Sequence, residues 1–326
     1  MDIMIRGLAF AAAACCAALM GFAIQRGATC TVAAVDQVLT QRKFKRLVAL
    51  VEASLWVSAG LLVAHRLGWL VQVPMGYALT AQTLSGAALL GLGAFINRAC
   101  VFGAIARFGS GEWAYAATPA GFYVGCLTAE PLFGASHPTR LVAGSIVFST
   151  PVVVGWLVVA ALACRMGTAV FRQRASWRTL MTESLWSPHA ATTVIGVAFL
   201  ALMVLVGPWA YTDALAELAR GSTHSLPARL SLGAFLLMGA ALGGWTAGRW
   251  RPARVDAAAL LRCLGGGALM GWGSLLIPGS NDGLILVGMP LLWPYAWVAF
   301  LTMCAAIGAA HWLQSRWAAK CPFAST

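Results

Sequence analysis

Cys30, Cys100 and Ser280 each stand where one apolar stretch breaks off and another begins. A thiol is a weak hydrogen-bond donor on a polarizable, nearly apolar group, so it can guide a soft sulfur anion without holding it. Conduction across a membrane needs such weak, successive binding. The Ser280 hydroxyl donates more strongly and prefers oxygen, which shifts preference toward the oxygen face of a substrate or toward another oxyanion. Polar residues accompany the breaks: Gln25 and Arg26 before the first, Asn97 and Arg98 before the second, Asn281 and Asp282 after the third. Gln25 and Arg26 are too polar to face lipid, and are expected to cap a break or line a cavity. Asn281 and Asp282 offer short acceptors that cap the following helix. In the sharper alternative, Arg98 attracts the anion and Asp282 restrains it.

The segments that must position these side chains are rich in glycine. Gly86, Gly91, Gly93 and Gly103 return at one constant shift as Gly266, Gly271, Gly273 and Gly283, and the small Ala99 answers Gly279. A glycine-rich apolar helix followed by a small-residue turn reads as a discontinuous helix whose second segment begins inside the bilayer. The free N–H groups at such a start carry partial positive charge and suit an anion. Cys100 and Ser280 fall at these starts. Close packing of helices through small residues gives the same composition with no substrate involved.

Composition sets the class. With 326 residues, 60% of them hydrophobic and 10% charged, and a mean hydropathy of +0.79, a water-soluble globule is excluded and an all-α polytopic membrane protein follows. The net charge of +12 comes from basic residues in short clusters between apolar spans. That is the positive-inside pattern, so the partners implied are membrane lipid and a small anion, with no nucleic acid. Nine cysteines lie mostly within apolar segments, which argues against a disulfide framework. The sequence has no metal-site spacing of Cys or His and no nucleotide-binding motif, so no cofactor is expected and no use of ATP.

Apolar spans read at 7–24, 47–64, 84–97, 113–129, 141–163, 190–206, 230–247, 257–277 and 291–313. This makes about nine crossings, with short re-entrant half-helices at 31–39, 100–108 and 284–287. Residues 209–227 read as an outer loop. The clusters Arg42–Arg46, Arg165–Arg178 and Arg249–Arg254 fall on one side, placing the N-terminus outside and the C-terminus in the cytoplasm. The two glycine motifs then run in opposite directions, as two pseudo-symmetric inverted halves require. Those halves are 1–164 and 190–326, joined by a cytoplasmic connection at 165–189. Glu52, near the cytoplasmic start of its span, is expected to pair with the basic cluster at 42–46.

Three motifs together resemble the YeeE/YedE family of bacterial inner-membrane sulfur transporters, over nearly the whole chain. Gly21 to Cys30, with Ala34 and Asp36, is similar to the first cysteine motif of the family. Gly91-Leu92-Gly93 to Cys100, followed by Arg107 to Glu112, is similar to the second. Gly266 to Ser280 is similar to the third, which in the family normally ends in cysteine. Asn97-Arg98-Ala99-Cys100 also stands where the family usually has a Gly-Gly-Cys ending. The resemblance implies an hourglass-like helical fold in the bacterial inner membrane and a narrow path along which thiosulfate passes one cysteine after another. It also implies a small TusA-like sulfur-carrier protein as a partner. Matched position by position, Cys30 and Cys100 are path cysteines and Ser280 takes the third place.

The expected function is therefore a permease, not an enzyme, for a small sulfur-containing anion such as thiosulfate. The alternative is a membrane-embedded sulfurtransferase or thiol redox protein, in which Cys30 or Cys100 forms a persulfide.

Overall fold

The computed structural model describes residues 2–70, 72–134, 138–141, 144–173, 185–221, 226–277 and 279–320. Among these the chain is helical, and the one extended pairing is an isolated bridge between Tyr77 and Arg140. The first part comprises α1 (Asp2–Gly27), α2 (Thr31–Gln41), α3 (Lys45–Arg66), α4 (Ala81–Asn97), α5 (Val101–Gly109) and α6 (Ala117–Phe133). A single turn, α7 (Ile146–Ser149), and the long α8 (Val152–Gln173) follow. The last part comprises α9 (Pro188–Val206), α10 (Tyr211–Ala219), α11 (Leu226–Thr246), α12 (Ala257–Leu276), the short α13 (Asn281–Gly283) with a π turn at Leu284–Gly288, and α14 (Pro294–Lys320). The order long, short, long, long, short, long thus occurs twice, with α7 and α8 between.

Among the described residues, seven segments are long and apolar enough to cross a membrane: Gly7–Gln41, Lys45–Arg66, Ala81–Gly109, Pro188–Val206, Leu226–Thr246, Ala257–Leu276 and Pro294–Trp317. The spans expected at 113–129 and 141–163 take a different form. The first folds as α6, 17 residues after a 3-10 turn at Trp113–Ala116. The second starts only at Val152, because Pro151 cannot continue the single turn that Ser145 caps. The loop expected at 209–227 contains the nine-residue α10. Arg174 and Arg178 lie outside the described residues.

The centre is built on α4 and α12, which pack on each other, α12 also on α6 and α4 also on α14. A methyl group at Gly93 would sit 2.7 Å from the Gly266 carbonyl, and one at Gly266 would sit 2.7 Å from the Gly93 carbonyl. The pair Gly86 and Gly273 behaves alike, at 2.8 and 2.5 Å. In lipid, where helices gain little from hydrophobic association, backbones brought this close supply the packing that holds them together. A second block forms where α1 packs on α9 and α11, and α9 on α3.

Glu52, 3% exposed, does not pair with the 42–46 cluster. It meets His189 Nδ1 at 2.5 Å and Arg165 at 3.4 Å, and so ties α3 to α8 and to the start of α9. The pairing follows from packing: α3 contacts both α8 and α9, so Arg165 and His189 reach a carboxylate facing inward.

Candidate functional site

Four short helices begin within the protein, with Cys30, Cys100, Ala210 and Ser280 as their N-caps, and none is capped by its own side chain. Three of the long helices differ. Thr80 accepts from the backbone N–H of Thr83, Ser187 from Ala190 and Asp256 from Ala259, which satisfies the first turns of α4, α9 and α12. At the four internal starts the orphan N–H groups need other partners.

At two of the starts, those of α2 and α10, an N–H finds its partner across a break. The Thr31 N–H donates to Cys100 Sγ at 3.1 Å, and the Cys100 thiol donates in turn to Cys30 Sγ, 3.8 Å away. This order leaves the Cys30 S–H available to another acceptor. In the last part of the chain the Thr212 N–H donates to Asp282 Oδ2 at 3.2 Å. The hydroxyls of Thr212 and Ser280 both bond to Asp282 Oδ1 and also meet each other. Each hydroxyl carries one proton, so with Asp282 ionised both protons are turned toward its carboxylate.

The two clusters touch. Thr31 Oγ1 donates to Asn281 Oδ1 at 3.3 Å. Cys100, Ser280, Asn281 and Asp282 are all buried, none more than 2% exposed. Asn281 Nδ2 is buried with no hydrogen-bond partner among the described residues. An unmet buried donor costs about 1–3 kcal/mol, which an anion passing along this line would offset.

The other expected site residues are placed differently. Asn97 is buried, donates to the Ala99 carbonyl at 2.8 Å and accepts from Thr118 at 3.1 Å, so it holds the break between α4 and α5. Arg98 closes α4 in the left-handed region (φ 58°) and is exposed, so it does not join the Asp282 cluster. Gln25 and Arg26 are fully buried, but near the far end of α5: Gln25 donates to Ser110 at 3.2 Å and Arg26 to Thr246 at 2.8 Å. Ser110 closes the helix that Cys100 opens, roughly 15 Å along its axis.

Thr31, Thr212 and Asp213 are the residues the sequence reading missed. A signal was present: Gly27 and Gly207 continue the constant shift of the glycine motifs, and the same shift carries Cys30 onto Ala210. Followed that far, it marks a fourth break inside the apparent loop.

Apolar helices long enough to span a bilayer, with polar breaks buried among them, make this a multi-pass membrane protein. A model of the family described as sulphur transport matches residues 26–309, most of the chain, and the chain belongs to that family, the YeeE/YedE family its motifs resemble. None of the curated proteins matches it.

Proposed function

We propose that this protein is a bacterial inner-membrane permease for a small sulfur-containing anion such as thiosulfate, which passes Cys30, Cys100 and Ser280 in succession. The observation that carries this reading is the cluster of uncapped helix starts, two of which send an orphan N–H to a sulfur or oxygen side chain, with a thiol pair and an unmet Asn281 donor beside them. Helix starts aimed at one buried point favour negative charge, and the family is one of sulphur transport.

The two halves form an inverted repeat in this reading. Supporting it, Gly86 meets Gly273 while its counterpart Gly266 meets Gly93, the counterpart of Gly273. Such reciprocal contact is what a twofold axis generates. Each half contributes four long helices, and α8 between them makes nine crossings and turns the second half over. The N-terminus then lies outside and the C-terminus in the cytoplasm, where a TusA-like carrier would accept the imported sulfur.

Purified protein in liposomes should take up radiolabelled thiosulfate, and Cys100→Ala, which orphans the Thr31 N–H, should slow uptake about 10- to 100-fold. Liposomes that take up no sulfur anion would sink the permease reading. A persulfide trapped on Cys30 or Cys100 during turnover would favour the sulfurtransferase alternative, which the 3.8 Å thiol pair keeps chemically open.

A further inference from the structure

Ser280 has a single proton to donate, and Asp282 takes it. The carboxylate occupies the start of α10 as an anion would, accepting from the Thr212 N–H and from the Thr212 and Ser280 hydroxyls. The equivalent point in the other half holds a neutral thiol, Cys100, which accepts from the Thr31 N–H. One half therefore presents a polarizable thiol and the other a carboxylate, which is negative when ionised. A sulfur anion moving past Asn281 meets that charge at close range in surroundings of low dielectric, where like charges repel strongly.

Water reaches the turn that carries this carboxylate, although Asp282 itself does not line the cavity. A cavity of about 350 Å³ is lined by Asp213, Glu217, Arg220, Tyr295 and the two glycines flanking the turn, Gly279 and Gly283. It runs from the exposed Arg220 inward, and Asp213 Oδ2 lies 4.0 Å from the point where a Gly283 side chain would begin. The charged and titratable groups facing Asp282 are Tyr211 and Asp213 on α10. Around Asp213 in turn stand Glu217 and Arg220 on α10, Arg229 on α11, which pairs with Glu217 at 3.0 Å, and Tyr295 on α14.

We infer that Asp282 couples anion uptake to proton entry: it takes a proton from the outer cavity before each anion passes and gives it up on the inner side afterwards. This rests on the permease reading above. A hydronium ion in the cavity becomes water as its proton passes, by way of the cavity-lining Asp213, to the Asp282 carboxylate. The carboxylate becomes a neutral acid whose O–H donates to Ser280. That loss of charge removes the repulsion. It also reverses the Ser280 hydrogen bond, so the hydroxyl proton turns from Asp282 to the substrate, beside the unmet Asn281 Nδ2. The acid then loses its proton to water on the far side, and the resting network reforms. A proton moving with the anion also cancels one charge against an inside-negative membrane potential.

The test uses the full chain in liposomes, with thiosulfate as the probe and a pH-sensitive dye trapped inside. In the wild type, inward thiosulfate should carry protons with it, and accumulation should rise up to about tenfold per unit of imposed pH gradient for one proton per anion. Asp282→Asn keeps the side-chain shape and removes the titration; it should abolish proton entry and flatten the gradient response. Asp282→Glu keeps an ionisable group and should retain both. Wild-type uptake without proton movement overturns the inference and leaves the permease intact, whereas no uptake at all overturns both. Should D282N fold poorly, the wild type and D282E still decide: neither responding to the gradient overturns the inference.

Discussion

At the scale of single residues, what distinguishes this chain is how its donors are committed. Cys100 passes a hydrogen bond on to Cys30 and leaves a thiol proton available. Ser280 has its proton bound to Asp282. Replacing Ser280 by cysteine exchanges a strong donor held by a carboxylate for a weak, polarizable one that the carboxylate holds less well. Ser280→Cys should raise thiosulfate uptake severalfold, measured with labelled substrate in liposomes, and should narrow selectivity against oxyanions such as sulfate. Unchanged uptake and selectivity would remove Ser280 from the path. The types and positions of Cys30, Cys100 and Ser280 were readable in the sequence. The commitment of the Ser280 proton was not: Asp282 is two residues away, but its side chain turns back to Ser280 in a cluster completed by Thr212, which lies 68 residues away.

At the scale of elements, the breaks work because the helices around them cannot move apart or slide. Close approach of α4 to α12 leaves no room for a side chain on either at the crossing, and a methyl group at Gly266 would also meet the Asn97 backbone at 2.7 Å. Gly266→Ala should therefore destabilise by about 1–3 kcal/mol and shift the α4–α5 break that Asn97 holds. Gly265→Ala, next along the same helix, meets nothing within 4 Å. It should be neutral or gain up to about 1 kcal/mol from helix propensity. Thermal unfolding of both variants in detergent checks the pair; equal melting temperatures would show that the crossing tolerates a side chain. Glycine periodicity pointed to tight packing here. It could not say which carbonyl each glycine admits, since that depends on how two helices distant in sequence are set against each other.

At the scale of the whole molecule, the proposed orientation rests on charge and the proposed symmetry on packing. A reporter enzyme active only in the cytoplasm, fused after the C-terminus, should be active, and the same reporter at the N-terminus inactive; the reverse would overturn the positive-inside assignment. The sequence by itself determined the membrane class, the main apolar helices and the three breaks, because hydropathy and glycine spacing are local quantities that a bilayer reads directly. It misjudged α10, because a short re-entrant helix flanked by polar residues has the composition of a loop, and it gave Glu52 the wrong partners, because nearness in sequence stood in for nearness in space. Only the tertiary structure decided that Arg98 faces outward, that Gln25 and Arg26 lie near the far end of α5, and that the Asp282 carboxylate meets the Thr212 N–H as the Cys100 sulfur meets the Thr31 N–H. Those outcomes are set by which helix starts converge on one buried point, and convergence between segments far apart along the chain leaves no mark on the local pattern of either.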